Sequence, residues 1–358
     1  MTTIAAVRGV LPGPAYRQED LTASFAELCL PPERRSQALV ERFHNSAQVA
    51  TRHLALPLER YRELDGFTDS NNAFLEVAVD LGAQAVTEAL DAAGLAPGDV
   101  DLIMSTTVTG VAVPSLEARI AARIGLRPDV KRVPLMGLGC LAGAAGIARL
   151  HDFLLGAPNA VGVLVAVELC SLTVQRNDPT AANMVASGLF GDGGAAVVAV
   201  GSGHPLAAPT DGAQRPRVVD AVSHLYPDTD RAMGWDVGTT GFKIVLGAEV
   251  PELVQMYLAD DVKALLGRHD LDTSDIARWI SHPGGPKVIE AIQSVLGLGR
   301  EDLAMTWNSL NRIGNLSSAS VLHVFSDTLD QRPAEPGEWG VLMAMGPGFA
   351  AELVLLQW

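Results

Sequence analysis

The sequence predicts an α/β protein built from two similar halves. Near-continuous runs of Val, Ile, Leu and Ala are separated by helical stretches, a pattern typical of strands that are covered on both faces. Elements of the same kind recur in the same order about half a chain apart, which indicates an internal duplication. With 358 residues, 48% of them hydrophobic, the chain can bury one large core or two fused cores.

The duplication is defined by the spacing between strand ends and small-residue corners. Thr107, near the end of one apolar run, precedes Cys140 by 33 positions, and His282, after a comparable run, precedes Asn315 by 33 positions. In each half we expect a helix, then a strand that leads into the corner, then a second helix. Cys140 and Asn315 then occupy equivalent corners and His282 a neighbouring strand end. Two halves folded face to face would bring these three side chains into one site.

The same patterns place the remaining elements. We expect residues 1–205 to form the half with the nucleophilic cysteine and 206–358 the half with the histidine and the asparagine. A segment rich in Pro, Ala and Gly at 204–217 would link them, and 333–338 would be a surface loop. The predicted strands are 101–107, 161–168, 195–200, 277–281, 339–346 and 352–358, and the predicted helices are 72–93, 115–124, 143–155, 250–266 and 286–295.

Cys140 lies where a strand-like run meets a glycine-rich helix start. A thiol at a helix N-terminus faces the positive end of the helix dipole and unpaired N–H groups, and both favour the thiolate, which is the nucleophilic form. Small neighbours would let a substrate come close, and the N–H of Cys140 could donate to an oxyanion. The alternative is a buried structural cysteine at a tight helix–strand contact, and two later motifs favour the reactive thiol over it.

The two later motifs carry a histidine and an amide. His282 ends an apolar run, and its unperturbed pKa near neutrality suits acid–base chemistry. Asn315 lies in a corner of small residues and could donate hydrogen bonds to a developing oxyanion without a change of charge. Taken alone, His282 could be a turn histidine with a satisfied hydrogen bond, and Asn315 a helix cap. Their spacing relative to Cys140 favours a shared site.

The net charge of −15 at pH 7 argues against nucleic acid as a partner, because its recognition needs a basic surface. An anionic ligand would have to be held by local cations. Several arginines between positions 33 and 62 are candidates, although a solvated helical face explains them equally well. They are Arg34, Arg35, Arg42, Arg52, Arg60 and Arg62.

Three cysteines without close paired spacing argue against a disulfide scaffold and against a zinc site. No stretch reaches the roughly 20 apolar residues that a membrane span needs. The first residues lack the basic-then-apolar pattern of a signal peptide. We therefore expect a cytoplasmic protein.

These residues carry a family resemblance along nearly the whole chain. The sequence resembles the type III polyketide synthases, the chalcone and stilbene synthase-like enzymes of the thiolase superfamily. The sequence LGCLAG at 138–143 is similar to the family's nucleophile motif, HPGGP at 282–286 to its histidine motif and GNLSSA at 314–319 to its asparagine motif. LFGDG at 189–193 and MGPG at 345–348 resemble two further family segments. The resemblance implies a thiolase-like, duplicated fold with α-β-α-β-α layers, and a homodimer.

Two positions differ from the plant enzymes, and the segments 109–115 and 168–173 look more like bacterial members. Where the plant enzymes carry a second gatekeeper phenylalanine, gapless matching gives Ile244, although Phe242 is close by. Where a methionine of the plant enzymes reaches into the partner subunit, this chain has Val113. Smaller residues at these positions predict a wider or deeper pocket that accepts medium or long acyl chains.

The resemblance also implies roles for other pocket residues. Phe190 matches a gatekeeper phenylalanine, and Thr109 and Cys170 match positions that line a side tunnel for long acyl chains in some bacterial members. For Cys170, simple core packing is an equal alternative. Thr173 and Ser317 match positions that shape how far the chain grows. Arg52 and Lys287 are the predicted contacts to coenzyme A.

The implied reaction is an iterative decarboxylative condensation without a bound cofactor or metal. Cys140, paired with His282, would accept an acyl group from an acyl-CoA starter. Asn315 and the imidazole would then hold the thioester carbonyl of malonyl-CoA, or of a substituted malonyl-CoA, during loss of CO2. The enolate would attack the acyl-Cys140 thioester, and cyclisation would give a pyrone or resorcinol-type product. Phe190 would help exclude water from the enolate.

Three alternatives remain at this stage. A ketoacyl-ACP synthase III-like enzyme would use the same three residue types for one condensation on a carrier protein, but Gly-Gly-Pro at 284–286 favours the polyketide synthase over it. A papain-type hydrolase would not explain the duplicated halves. A catalytically silent member is disfavoured because all three catalytic residue types are present.

Overall fold

The computed structural model describes residues 1–31, 37–208 and 215–358, and these alternate between strands and helices as expected from the apolar runs. The strands are β1 (Thr2–Val10), β2 (Ala15–Arg17), β3 (Thr51–His53), β4 (Leu102–Thr106), β5 (Lys131–Leu135), β6 (Val161–Leu169), β7 (Asp192–Val200), β8 (Arg217–Leu225), β9 (Met233–Gly238), β10 (Gly241–Leu246), β11 (Ile276–Ser281), β12 (Trp339–Gly346) and β13 (Ala350–Gln357). The helices are α1 (Gln18–Cys29), α2 (Gln37–Ser46), α3 (Gly66–Ala93), α4 (Leu116–Ile124), α5 (Ala142–Gly156), α6 (Ala181–Leu189), α7 (Val250–Gly267), α8 (Pro286–Leu296), α9 (Ala304–Ile313) and α10 (Ser320–Gln331).

Nine strands form one sheet in the order β11-β12-β13-β8-β1-β7-β6-β4-β5. The sheet consists of two parts that meet between β1 and β8, where Thr2 pairs with Val218 and Thr3 with Arg217. Five strands lie on one side of this short joint and four on the other. The joint lets the two parts fold towards each other while the backbone pairing stays continuous.

Helices cover both parts of the sheet on both faces. Helix α3 packs on the outer face of the five-strand part, and α7 and α8 cover the outer face of the four-strand part. Helices α5 and α10 lie between the two parts and share one hydrophobic core with strands of both. The layers are therefore α-β-α-β-α, which confirms the predicted duplicated fold.

The central helix α5 is buried on nearly every face, and its small residues make this possible. A Cβ added at Gly146 would lie 2.5 Å from Leu164 of β6, and one added at Gly143 would lie 2.4 Å from the carbonyl oxygen of Ser318. A helix that is apolar all round belongs inside a protein. The alanines and glycines of α5 let β6 on one side and the turn before α10 on the other approach this helix closely.

The five predicted helices are present, and α3 begins six residues earlier than expected, at Gly66. One prediction for the second half is wrong. No strand leads into the Asn315 corner; helix α9 takes its place, because Trp307, Leu310 and Ile313 recur at helical spacing and are buried. Gly314, with φ of 74°, then ends the helix.

The chain crosses between the halves after β7 ends at Val200 and before β8 begins at Arg217. Part of the predicted linker, 209–214, lies outside the described residues, while 333–338 is a loop as expected. We keep 1–205 and 206–358 as proposed halves. They are not independent cores, because α10 from the second half packs against β1 and β7 of the first. Within the described ranges, no helix has both the length and the apolar character that a membrane span requires.

The contact between α5 and the turn after Asn315 can be tested with two glycines of the same helix. Gly143→Ala should lower the free energy of unfolding by about 1–3 kcal/mol, because the obstructing atom at 2.4 Å is a backbone oxygen that cannot rotate away. Gly156→Ala is the matched control. Among the described residues nothing lies within 4 Å of its added Cβ, so it should be neutral or stabilise by up to ~1 kcal/mol. Urea unfolding followed by circular dichroism measures both, and equal midpoints would contradict the close contact.

Candidate active site

The Cys140 corner is shaped by two glycines with left-handed backbone. After β5 ends, Gly137 has φ of 87° and Gly139 has φ of 52°, backbone conformations that residues with a side chain rarely adopt. The turn Gly139–Leu141 then leads directly into α5, so Cys140 lies just before the helix start, as predicted. A Cβ on Gly139 would lie 2.6 Å from Pro347, which shows that the glycine–proline loop packs against this corner.

Asn315 lies in the turn between α9 and α10, and its backbone and side chain are both fixed. Its N–H donates to the Leu189 carbonyl and its carbonyl accepts from the Gly191 N–H, each at 2.9 Å. Its side-chain Oδ1 accepts from the Ser317 N–H at 2.8 Å and from the Ser320 hydroxyl at 3.4 Å. Asn315 therefore does cap a turn, and this cap uses the amide oxygen while the amide nitrogen is left for the site.

Cys140 and the Asn315 turn are in contact. The thiol is 7% exposed and donates to the Ser317 hydroxyl at 3.7 Å. The Asn315 side chain, like Ser317, lowers the pKa of the thiol. The structure thus brings together two of the three predicted catalytic side chains, with Ser317 between them.

His282 is buried at the end of β11, and its backbone N–H donates to the Met343 carbonyl of β12 at 2.9 Å. The ring is 4% exposed, and neither Nδ1 nor Nε2 has a hydrogen-bond partner among the described residues. Burial lowers the pKa of His282 to about 3. His282 is therefore not a turn histidine with a hydrogen-bonded ring, which was the simpler interpretation of the sequence. Buried polar groups are nearly always paired, so an unpaired imidazole marks a functional position.

Two neighbours connect His282 to the Cys140–Asn315 corner. Met343, which binds the His282 N–H, is three residues before Gly346 on β12, and a Cβ on Gly346 would lie 2.8 Å from the Leu141 nitrogen. Three residues of a strand span about 10 Å. On the other side, Gly285 packs against Leu189, whose carbonyl binds Asn315. The histidine and cysteine motifs are therefore linked through β12 and through Leu189.

Burial governs the charge of the thiol. It raises the pKa of Cys140 to about 12, and the nearby carboxylate of Glu168 adds to this, whereas Ser317 and Asn315 act in the opposite direction. A backbone N–H also lowers the pKa of the thiol, in the direction expected for a helix start, but the loss of hydration outweighs it. A thiolate here needs a base that takes the proton.

Glu168 is a buried carboxylate at the end of β6 that the sequence analysis did not single out. Its Oε2 accepts from the Thr109 hydroxyl at 2.8 Å, the Val108 N–H at 3.1 Å and the Thr107 hydroxyl at 3.2 Å. Its Oε1 accepts from the Ser318 hydroxyl at 2.5 Å. Burial raises the pKa of Glu168. Glu168 thus ties the loop after β4 to the Asn315 turn, and a charge that ends an apolar run was the available signal.

A cavity of about 360 Å³ lies beside this corner and contains four of the predicted pocket residues, Phe190, Cys170, Thr173 and Ile244. Its walls do not include Cys140, His282 or Asn315. It adjoins the triad at Phe190, whose backbone pairs with Asn315 in an isolated bridge. Further apolar walls come from residues that the sequence analysis missed: Leu21, Phe25, Cys29, Leu54, Leu58, Tyr61, Leu64, Leu172 and Trp235.

The cavity settles the choice between Ile244 and Phe242. Ile244 lines it, whereas Phe242 is 5% exposed and packs edge-on against Phe67, with ring centroids 5.3 Å apart. Cys170 is both 5% exposed and part of the cavity wall. The two interpretations of Cys170, core packing and tunnel lining, are therefore compatible.

Three predicted pocket residues lie outside this cavity: Ser317, which contacts the Cys140 thiol, and Thr109 and Val113. Thr109 is 3% exposed, donates to Glu168 and accepts from the Leu169 N–H at 2.9 Å, so its side chain braces the scaffold and is not a cavity wall. Val113 is 91% exposed and does not line the cavity.

Arg52 was predicted to bind coenzyme A, but its guanidinium points inwards. It is 4% exposed and donates to the Gln18 Oε1 at 3.0 Å and to the Phe190 carbonyl at 2.7 Å. It also faces Asp192, whose pKa burial raises to about 6 and Arg52 lowers. An arginine that is held in this way supports the Phe190 backbone, and we do not retain it as a coenzyme A contact.

Of the other cations, Lys287 is exposed at the start of α8 and remains available to an anionic ligand. Arg60 pairs with Glu63 and Arg62 with Glu27, which fits the solvated-face interpretation. Arg34 and Arg35 lie outside the described residues. In the described part of the chain, no three His, Cys, Asp or Glu side chains are grouped as a metal site.

Comparison with known proteins agrees with this site. Residues 2–204 match the family "Chalcone and stilbene synthases, N-terminal domain", and residues 217–358 match its C-terminal domain. A 1,3,6,8-tetrahydroxynaphthalene synthase of Streptomyces peucetius subsp. caesius is 52% identical over 357 residues, covering 100% of this chain and 93% of the relative. A 3,5-dihydroxyphenylacetyl-CoA synthase of Amycolatopsis orientalis is 34% identical, covering 88% of this chain and 84% of that protein.

The solved structures agree as well. The crystal structure of 1,3,6,8-tetrahydroxynaphthalene synthase from Streptomyces coelicolor A3(2), described as a bacterial type III polyketide synthase, superposes with a TM-score of 0.90 at 31% identity. The match covers 99% of both chains. This chain therefore belongs to the family of chalcone and stilbene synthases. It is a type III polyketide synthase, a transferase that condenses acyl groups, and the alternative of a ketoacyl-ACP synthase III-like enzyme is not favoured.

The bracing role of Glu168 predicts a large loss of stability when its acceptors are removed. Glu168→Ala removes the acceptor of four donors, three of them buried, and should lower the free energy of unfolding by about 3 kcal/mol or more. Glu168→Gln keeps one acceptor oxygen and should lose only ~1 kcal/mol. Chemical denaturation measures both. Glu290→Ala, at an exposed position of α8, is the control and should stay within ~0.5 kcal/mol of the parent protein. A Glu168→Ala variant as stable as this control would contradict the bracing role.

Proposed function

We propose that Cys140, His282 and Asn315 are the catalytic triad of an iterative decarboxylative condensation. The observation that carries this proposal is a buried thiol that contacts the Asn315 turn through Ser317, together with a buried imidazole that has no hydrogen-bond partner among the described residues. A buried proton donor and a buried proton acceptor are better explained by a catalytic role than by a purely structural one.

The first step loads the acyl group. The proton of the Cys140 thiol passes to a ring nitrogen of His282, which forms a thiolate and an imidazolium together. Burial opposes each charge alone, as the pKa values of about 12 and about 3 show, but two opposite charges that form side by side offset part of each other's cost. The thiolate then attacks the carbonyl of an acyl-CoA starter, and the thiolate of coenzyme A leaves with the imidazolium proton.

The second step extends the chain. The carbonyl of malonyl-CoA, or of a substituted malonyl-CoA, accepts hydrogen bonds from the Asn315 amide nitrogen and from His282, so that loss of CO2 gives a stabilised enolate. The enolate carbon attacks the acyl-Cys140 thioester, the bond to sulfur breaks, and the chain, now longer by two carbons, returns to coenzyme A. Phe190 beside the corner limits access of water to the enolate.

Product and substrates are proposed from the cavity and the relatives. The relative at 52% identity is named for 1,3,6,8-tetrahydroxynaphthalene, so we propose a polyhydroxylated aromatic product and favour a naphthalene over the expected pyrone or resorcinol. The exposed Lys287 is the proposed contact to a coenzyme A phosphate. A reducing, cytoplasmic setting is proposed because the three cysteines are buried free thiols and Cys140 must stay reduced.

The direct test of this function is product formation. Purified protein is incubated with malonyl-CoA alone and with a panel of acyl-CoA starters, and products are identified by mass. Hydroxylated aromatic products from free malonyl-CoA would support the proposal. Condensation only with a carrier-protein-bound substrate, or release of free acid alone, would overturn it.

The triad predicts separable effects of three substitutions. Cys140→Ala should abolish acyl loading, measured as an adduct by intact mass. Asn315→Ala should slow CO2 release from malonyl-CoA by about 100- to 1000-fold, because one oxyanion donor is lost. His282→Ala should do the same and also slow alkylation of Cys140 by iodoacetamide at pH 7 by more than about tenfold, since the thiol loses its proton acceptor. Glu290→Ala, at an exposed position of α8, is the control for alkylation, and equal alkylation rates in this variant and in His282→Ala would contradict the thiol–imidazole pair.

The cavity predicts selectivity for starter length. Cys170→Phe and Ile244→Phe should reduce activity with long aliphatic starters more than with short ones, because an added ring fills the deepest part of the cavity first. Each buried methylene contributes about 0.8 kcal/mol, so the difference should grow with every carbon. Thr109→Phe serves as a contrast, since Thr109 is bound to Glu168 and its replacement should reduce stability without a length preference. An equal loss for all starters in the Cys170 and Ile244 variants would exclude the cavity as the acyl path.

We also propose a homodimer, formed at the β5 edge of the sheet. β5 is the last strand of the sheet, and apolar side chains beside it are open to solvent: Met136 is 60% exposed and Val113 is 91% exposed. An open edge strand next to exposed apolar residues is an association surface. Val113 would approach the partner's pocket, as the resemblance implies.

Light scattering at micromolar concentration should show a dimer. Val113→Asp and Met136→Asp should shift the protein towards the monomer, because each places a charge in the proposed contact. Val237→Asp is the matched control, since Val237 is 68% exposed on β9, away from this edge, and its replacement should leave the dimer intact. A monomeric parent protein would contradict the proposal.

A further inference from the structure

A second cavity, of about 310 Å³, lies on the other side of the Asn315 turn and shares no wall residue with the first. β1, β3, the end of α9 and one face of α10 surround it. None of the proposed catalytic side chains belongs to it, so the proposed reaction does not account for its polar groups.

His323 of α10 is one of these groups, and its protonation is fixed by a neighbour. The ring is 6% exposed, and Nε2 lies 2.9 Å from the Gly194 carbonyl. A carbonyl can only accept, so Nε2 carries the hydrogen and Nδ1 presents a lone pair. Burial lowers the pKa of His323 to about 4, which keeps the ring neutral at pH 7. Among the described residues Nδ1 has no hydrogen-bond partner, and the ring can pack this close to β1 only because Gly9 has no side chain, since a Cβ there would lie 2.4 Å from Nδ1.

His53 and Asp327 present further acceptors on the walls of this cavity. The Nδ1 of His53 lies 3.0 Å from the Pro12 carbonyl and 3.1 Å from the Gly13 carbonyl, so it carries the hydrogen and Nε2 is the acceptor. The carboxylate of Asp327 accepts from the Arg312 guanidinium at 2.8 Å and keeps free lone pairs. The cavity therefore offers acceptors, and its one arginine among the described wall residues is already engaged. An anion would find no free cation here.

Apolar surface lies between these acceptors, contributed by Leu11, Ala15 and Ile313. We propose that the cavity binds a neutral, polyhydroxylated aromatic ring. The face of the ring would lie on the apolar wall, and its hydroxyl groups would donate to His323 Nδ1, His53 Nε2 and the Asp327 carboxylate. A hydroxyl is the neutral group that supplies a donor to each of these acceptors at once.

The position of the cavity connects it to the catalytic corner. Arg312 and Ile313 are the last residues of α9 before Gly314 and Asn315, and the Thr51 hydroxyl donates to the Arg312 carbonyl at 2.6 Å. Thr51 and His53 also flank Arg52, which holds the Phe190 carbonyl. A ring bound in this cavity would contact the end of α9 and β3, the elements that position Asn315 and Phe190. If the product is a hydroxylated aromatic, which rests on the proposed function, the cavity is a site of product feedback.

Binding is tested without turnover, in the full chain carrying Cys140→Ala. The probe is 1,3-dihydroxynaphthalene, followed by isothermal titration calorimetry. We expect one saturable site, and affinity weakened by about tenfold or more when His53→Phe or Asp327→Asn is added, which is the loss of about one hydrogen bond. Ile244→Phe, in the first cavity, is the control and should leave the affinity within about twofold. 1,3-dimethoxynaphthalene, which has no donor, should bind at least about tenfold more weakly.

Each failure has a distinct signature. Absence of saturable binding, or equal affinity for the dimethoxy compound, would overturn the proposal. Affinity that falls with Ile244→Phe and not with His53→Phe or Asp327→Asn would place the ring in the first cavity and overturn it too, as would competition by inorganic phosphate. Because these titrations need no condensation, they stand even if the proposed function fails. Feedback itself predicts that the probe slows CO2 release from malonyl-CoA in the parent enzyme and that His53→Phe relieves this; binding without inhibition would refute the feedback.

Discussion

The close packing of α5 against the turn after Asn315 is the contact on which the catalytic corner depends. Gly143 in the first turn of α5 leaves space for the Ser318 carbonyl, and only this approach lets the Cys140 thiol reach Ser317. Glu168 reinforces it from a third element by accepting from Ser318 and from the loop after β4. The nucleophile and the amide thus come from different halves of the chain but are positioned by one rigid contact.

Burial has two effects on this corner. It keeps the fold closed around the site, and it sets both the Cys140 thiol and the His282 imidazole to their neutral forms, with pKa values of about 12 and about 3. A neutral thiol is a weak nucleophile, so Cys140 reacts only once a base has taken its proton.

Much of this could be predicted from sequence, because duplication and motif spacing are local patterns. The strands and helices around Cys140 and His282 follow from apolar periodicity, and the layer order follows from the family resemblance. Side-chain direction could not be predicted in this way. Arg52 looks like a surface cation in the sequence, but its position between β2 and α9 turns it towards Phe190. Thr109 likewise turns towards a buried partner, Glu168. The helix α9 was missed because the repeat suggested a strand, whereas the buried residues of this segment follow a helical period.

Arg52 and the residues on either side of it suggest how the two cavities are related. Arg52 holds Phe190 from the inside, while its neighbours Thr51 and His53 line the second cavity. The Asn315 turn also pairs with Phe190 through an isolated bridge, so Phe190, Asn315 and the second cavity are connected by a few backbone hydrogen bonds. Because these elements are closely packed, a displacement of one is transmitted to the others. A small displacement at β3 would therefore reach the corner through the arginine and through the end of α9, without any change at the thiol itself.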